Sequence, residues 1–409
     1  MPPVVIILNA SLSNISSIAS TGKPPAVILG KYATTGLGVC RCFGKENVPT
    51  LWIDTNPRQT GFLSKYCTAA LTCPHPKENE EAYIEFLVDV GEKLPHKGVL
   101  FPLGDIELTA LLKSQKRLQQ YYHFPGADFS ITQLLLNKKK FYQTLAQYHV
   151  SHPLTFFPQH ESDVASVSAE MSYPCILKPV NSESFRVAFN TKFFRATSRK
   201  ELLENYQKAL SKNQEVIIQE IIPGDARQMY GFNAYYDRSF TPHGICMFRR
   251  IREWPPLSGN GVCIEHVSIP EFEPLVSSFM KKIQYHGIVD VEIKQDPRDN
   301  TFKLIEINPR CWMQVTFPLA YGNNIPYLAY LDAVGYSLDT STPSVTNATW
   351  TFILQDIPAA LRGISCGDLT FNEWIRSYKG KKEYAIFSWD DPLPFVGRFP
   401  SIIHHLSHY

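Results

Sequence analysis

Residues 287–312 read GIVDVEIKQDPRDNTFKLIEINPRCW, and the rest of the chain is interpreted outward from them. Val289 to Gln295 alternates apolar Val289, Val291 and Ile293 with polar Asp290, Glu292 and Lys294, the period-2 pattern of a half-buried strand. Asp296, Pro297, Asp299 and Asn300 are turn formers, and Phe302 to Ile307 supplies a second strand stopped by Pro309. Side chains two apart in a strand share a face, so Glu306 and Asn308 point the same way. Paired as a hairpin, the strands would bring Glu292 onto that face, with the guanidinium of Arg310 just beyond.

Two carboxylates and a carboxamide suit a hard divalent cation. Mg²⁺ takes oxygen ligands, usually one or two carboxylates, and completes its shell with water and substrate phosphates. The plain alternative is a solvated hairpin whose acids pair with Lys294 and Lys303. That alternative is weakened by the apolar neighbours Leu304, Ile305 and Ile307, among which an unpaired carboxylate is costly.

The pattern G-x-x-x-V-E-x-K, a turn, then K-L-I-E-I-N-P-R resembles the metal-binding end of ATP-grasp enzymes. The resemblance runs from about Pro25 to Tyr336 and implies an α/β ATP-grasp fold with an N-terminal Rossmann-like domain and a C-terminal extension. It also implies ATP and Mg²⁺, or Mn²⁺ in its place, with Glu292, Glu306 and Asn308 as ligands.

Length and composition set the frame. A chain of 409 residues exceeds one ordinary core. An apolar fraction of 44% is that of a soluble globular protein, and a net charge of +2 gives no reason to invoke nucleic acid or an anionic membrane. No apolar run approaches the ~20 residues of a spanning helix. The start, MPPVVIILNASLSN, lacks the basic n-region of a signal peptide. The nine cysteines have no zinc spacing and read as reduced thiols filling cores, consistent with a cytoplasmic location.

In chain order, residues 1–23 read as an appended arm. Residues 24–133 begin with AVILG, a Gly-containing turn and helix, and TLWID, a Rossmann-like start. The glycines are not in G-x-G-x-x-G order, so tight helix–strand packing explains them as well as a dinucleotide would. By resemblance the loops of this domain would help hold the non-nucleotide substrate.

Residues 134–214 are expected to form the smaller ATP-grasp subdomain. Asn137 is a candidate N-cap and Lys138 matches the family's first nucleotide-contacting lysine. PCILKPV places Lys178 at a strand end, where the resemblance implies a phosphate contact. The following NSESFRVAFNTKFF, residues 181–194, stands where many relatives have a glycine-rich phosphate loop, with Ser184 among its donors. This Gly-poor stretch resembles D-aspartate ligase-like amino-acid ligases.

Residues 215–340 are expected to be the larger subdomain. EVIIQEIIPG would lie along the adenine edge, with Gln219, Glu220, Ile222 and Asp225 contacting base and ribose by position. Asp225 could equally cap an ordinary turn. Arg249, Arg250 and Arg252 precede a Pro/Gly loop and suit an anion, with Arg252 taken as catalytic beside Arg310. Residues 341–409 form the extension.

The reaction implied is ATP-dependent activation of a carboxylate as an acyl phosphate and its capture by an amine, releasing ADP and phosphate. The partners would be a small-molecule carboxylate and amine, with no nucleic acid and no membrane. The resemblance leaves room for a homodimer. Alternatives are ATP-grasp chemistry with another acceptor, kinase-like or through carboxyphosphate, and a nucleotide-binding regulator without turnover.

Overall fold

In the computed structural model the residues described are 18, 22–256, 259–338 and 347–398, without the side chains of residues 182 and 183. Most of the expected N-terminal arm and the end of the C-terminal extension lie outside them. The chain forms two compact units: residues 1–129, 231–290 and 308–409 make the first, and residues 130–230 and 291–307 the second.

The Rossmann-like start is observed. Strands β1 (Ala26–Leu29), β2 (Thr50–Asp54), β3 (Ala69–Thr72), β4 (Gly98–Pro102) and β5 (Tyr122–His123) form a parallel sheet in the order β3-β2-β1-β4-β5. Crossovers include helices α1 (Ala33–Gly44), α2 (Glu80–Lys93) and α3 (Asp105–Lys113). Parallel strands covered on both faces must be apolar throughout, and β1, β2 and β4 are buried at every residue. Gly36 of α1 is there for packing: a Cβ on it would lie 2.1 Å from the Trp52 ring.

The second unit follows. It contains α4 (Lys138–Gln147) and the antiparallel strands β6 (Thr155–Phe156), β7 (Cys175–Pro179), β8 (Phe194–Ala196) and β9 (Val216–Glu220), in the order β6-β9-β7-β8. Helices α5 (Ser182–Phe189) and α6 (Arg199–Leu210) flank β8 in sequence. Leu177, Phe185, Phe194, Leu202, Tyr206 and Ile218 are buried in its core. Asn137 caps α4 by accepting from Lys140 N, and Ser198 caps α6 by accepting from Glu201 N, as the sequence suggests.

The remaining strands are β10 (Met229–Tyr236), β11 (Pro242–Trp254), β12 (Asn260–His266), β13 (Gly287–Gln295), β14 (Phe302–Asn308), β15 (Ala348–Thr351) and β16 (Lys381–Tyr384). They form one sheet in the order β14-β13-β10-β11-β12-β15-β16. Helix α7 (Phe272–Lys282) leads into β13. The expected alternation in β13 is observed: Val289, Val291 and Ile293 are fully buried, while Asp290, Glu292 and Lys294 are partly exposed.

The compact units do not follow the expected domain boundaries. The extension is no separate layer, because β15 pairs with β12 and β16 with β15. Asp391 fastens the extension: it is buried and accepts from Arg41 Nε at 2.9 Å, Ser64 Oγ at 2.7 Å and the Lys65 backbone at 2.9 Å. These pairings join segments more than 300 residues apart, which no local pattern reports. All nine cysteines are free and seven are buried, in keeping with core filling. Among the described residues no helix is long and apolar enough to cross a membrane.

Candidate active site

In the second unit, α4 and β7 bring two lysines toward two glutamates of the hairpin strands. Lys138, the first residue of α4, places Nζ 2.5 Å from Glu306 Oε1 on β14. One turn on, the Tyr142 hydroxyl donates to the Ile305 carbonyl at 2.6 Å, so the helix start is docked onto the strand at two points. Lys178 occupies the end of β7, and no ion pair or hydrogen bond engages its ammonium among the described residues. Burial pushes its pKa down to about 8, the neighbouring Lys138 ammonium adds to this, and Glu306 and Glu292 partly oppose it. A partly desolvated lysine beside a second lysine is a receptor for negative charge.

The strand β9 expected along the adenine edge is present, with its side chains committed. Gln219 is buried and donates to Thr155 Oγ1 at 2.8 Å. Glu220 accepts from the Leu154 backbone at 2.9 Å, Arg298 Nη2 at 2.7 Å and Lys303 Nζ at 3.1 Å. Arg298 and Lys303 also hold Asp296, at 2.5 and 2.8 Å. Burial raises the Glu220 pKa, but these donors outweigh it and hold the carboxyl below its ordinary value. Glu220 thus ties the hairpin turn to β9 through Arg298 and Lys303.

The Ile222 carbonyl accepts from Lys294 Nζ at 2.8 Å, so Lys294 fastens the turn after β9. Asp225 is exposed and caps the following 3₁₀ turn by accepting from Arg227 N at 2.7 Å. The plain turn-cap reading of Asp225 describes its contacts. Residues 182–189 form α5, so the expected phosphate loop is in large part a helix. An apolar Phe185 that can be buried against Phe189 and Phe194 explains why this segment coils instead of looping. Ser184 on that helix donates to Gln214 Oε1 at 2.7 Å.

The first unit contributes its own polar cluster, part of which the sequence reading missed. Asp290 accepts from Asn233 Nδ2 at 2.9 Å and from Asn308 Nδ2 at 3.1 Å. Arg310 donates through Nε to Asp105 Oδ1 at 2.6 Å and through Nη2 to Asn308 Oδ1 at 3.4 Å. Burial disfavours the Arg310 cation, but Asp105 outweighs it, so the guanidinium stays charged. The signal for Asp290 was legible, since it shares the strand face of Glu292. Asp105 gave none, because its partner lies 205 residues away.

Arg252, the second arginine expected to be catalytic, sits in a buried ion pair. Its fork is engaged by the fully buried Asp356, Nε to Oδ1 at 2.6 Å and Nη2 to Oδ2 at 2.9 Å, and Nη2 also donates to Ser377. This pair fastens helix α8 (Ile353–Cys366) to β11. Removing one member leaves a buried charge, so Arg252→Met is expected to destabilise the fold by about 3–5 kcal/mol. Urea unfolding checks this; an unchanged midpoint would show that the pair adds no stability.

The donors fit a hard cation. Among the described residues no group of three or more His, Cys, Asp or Glu is close enough to hold a metal, which leaves sites built from few carboxylates with amide oxygens. Asn233 Oδ1 beside Asp290 is buried without a hydrogen-bond partner, an oxygen suited to such a cation. All these donors are oxygen, as Mg²⁺ or Mn²⁺ requires.

The fold is the ATP-grasp fold implied by the sequence resemblance. An L-amino acid ligase from Bacillus licheniformis superposes with a TM-score of 0.59 at 17% identity, over 76% of this chain and 74% of that one. A biotin carboxylase from Campylobacter jejuni does so with a TM-score of 0.62 at 16% identity, over 78% and 73%. No family model matches. In sequence the chain is 31% identical over 249 residues to D-aspartate ligase of Enterococcus faecium, across 58% of this chain. The matched part spans 59% of that ligase.

Proposed function

We propose that this protein is an ATP-dependent ligase that joins a small carboxylate, of the amino-acid class, to an amine. The cluster of Lys138, Lys178, Glu292 and Glu306 carries the proposal: two cationic groups for phosphate oxygens sit with two carboxylates for the accompanying cation. The likeness to D-aspartate ligase and to an L-amino acid ligase supports the direction of the chemistry.

Lys138 and Lys178 would neutralise phosphate oxygens of ATP. The turn after β9 would offer backbone groups to the base, its side chains being already engaged. Glu292, Glu306 and Asn308 would hold Mg²⁺, as the resemblance implies. Bound there, the cation would neutralise charge on the phosphates during transfer. Arg310, kept cationic by Asp105, would stabilise the phosphoryl group and the acyl phosphate. ADP release screened over paired amino acids and small carboxylates tests the proposal, and no release from any pair would sink it.

Lys178 makes the nucleotide reading measurable. Phosphate beside it favours the ammonium and raises its pKa above about 8. Below pH 8 the group is charged both with and without ATP, and affinity is full. As pH rises through about 8 the free protein loses this proton while the complex keeps it, so affinity falls. Calorimetry at pH 8.5 in buffers of different ionisation enthalpy is expected to show proton uptake on ATP binding, absent in Lys178→Gln. Lys178→Ala should weaken ATP more than adenosine; equal losses would move the lysine away from the phosphates.

A further inference from the structure

At the carboxyl ends of β1, β2 and β4 the first unit gathers the carboxylates Asp54, Asp105 and Glu107, and the proposed chemistry uses only Asp105 of these three. The strand order places β2 on one side of β1 and β4 on the other, and open α/β sheets bind ligands at such a switch point. Glu107, in the first turn of α3, lies there. A Cβ on Gly30 would stand 3.1 Å from its Oε1, and one on Gly104 2.4 Å from its Oε2. The carboxylate is thus seated between the residue after β1 and the residue before α3, and Glu107 is 7% exposed.

Nothing on another residue donates a hydrogen bond to Glu107 among the described residues. Burial raises its pKa, while its own backbone N–H and the charge of Lys31 work against that, and Asp105 and Asp54 push it further up. The nearby acids have their donors: Asp54 accepts from Gln59 Nε2 and the Asn56 backbone, both at 2.9 Å, and Asp105 has Arg310. A second observation comes from α2. The Tyr83 hydroxyl is buried and has no hydrogen-bond partner, and after burial itself Cys73 and Glu107 are the groups that most disfavour its ionisation.

We propose that this crevice binds the primary ammonium group of a small amino-acid substrate, with Glu107 as its anionic partner and the Tyr83 oxygen as a second acceptor. The proposal rests on the ligase reading and names the substrate class for it. An ammonium carries three donors and no acceptor, matching a carboxylate without outside donors and an orphaned hydroxyl. A water could bond to both oxygens but would bring no positive charge to a carboxylate whose ionisation burial disfavours. An anion is opposed by Asp54, Asp105 and Glu107 together.

The test uses the full chain and its Glu107→Gln, Glu107→Asp and Tyr83→Phe variants. Glycinamide hydrochloride, which carries the ammonium, is expected to raise the melting temperature of the unsubstituted protein, and neutral acetamide is not. Glu107→Gln should abolish the glycinamide shift, Tyr83→Phe reduce it and Glu107→Asp keep part of it. Unliganded Glu107→Gln should melt no lower than the parent, because it removes a buried charge and no partner. With an amino acid that supports ADP release, Glu107→Gln should raise KM for that amino acid about 10-fold or more, the scale of one charged hydrogen bond, with KM for ATP unchanged. Equal shifts from glycinamide and acetamide, or a glycinamide shift that survives Glu107→Gln, would overturn the proposal in favour of a bridging water. A Glu107-dependent glycinamide shift without ADP release from any amino-acid pair would sink the ligase reading and leave the ammonium site standing.

Discussion

Replacing Glu306 by Gln is expected to reduce ADP formation by about 100-fold or more while the protein stays folded. The substitution keeps the shape of the side chain and removes one charge from the set formed with Glu292, Lys138 and Lys178. Its structural cost is small, because the carboxylate is 39% exposed and its partner Lys138 18% exposed. A part-exposed pair of this kind contributes at most about 1 kcal/mol. Turnover and the melting temperature together check the expectation. Substantial Mg²⁺-dependent turnover in folded Glu306→Gln protein would remove β14 from the proposed metal site.

Arg310→Ala carries the other large effect, and it addresses the intermediate. A ligase working through an acyl phosphate needs only the carboxylate, ATP and Mg²⁺ to make the mixed anhydride, before the amine arrives. Hydroxylamine supplied without the natural amine is therefore expected to yield a hydroxamate. Arg310→Ala should lose this trapping by about 100-fold or more, since the guanidinium is assigned to charge that develops during transfer. The fold should tolerate the change: Asp105, left behind, is 50% exposed and opens helix α3, where a carboxylate meets the positive end of the helix dipole. Arg310→Lys should recover part of the rate, because it restores charge without the planar fork. ADP accumulating with the true substrates while hydroxylamine captures nothing would point to kinase-like transfer instead.

Glu220 and Arg252 mark where a linear reading stops. A ligand contact is expected of Glu220 by the resemblance and of Arg252 by its place in an arginine run. Glu220 instead accepts from Arg298 and Lys303, about 80 residues on, and Arg252 pairs with Asp356, 104 residues on. A charge buried by the fold must find a partner wherever the fold supplies one, and sequence position does not disclose it. The stretch 181–194 shows the same limit from the other side: helix and phosphate loop differ there by whether Phe185 finds a core, and that core comes from β7 and β8.

The amino-acid sequence by itself determined the strand–turn–strand of residues 287–308, the parallel β/α start, and the caps Asn137 and Ser198. Each depends on near neighbours: period-2 alternation, turn formers, and a side chain within reach of a free backbone N–H. Together with the family resemblance it also singled out Lys138, Lys178, Glu306 and Arg310, of which Lys178 and Glu306 stand among apolar neighbours. Tertiary structure alone decided which charges face one another. It paired Lys138 with Glu306, gave Asp105 to Arg310, added Asp290 to the carboxamide of Asn308, buried Glu107, and left the Tyr83 hydroxyl without a partner among the described residues. Those outcomes depend on contacts between distant segments, and electrostatic pairing acts over ångströms in space, whatever the separation along the chain.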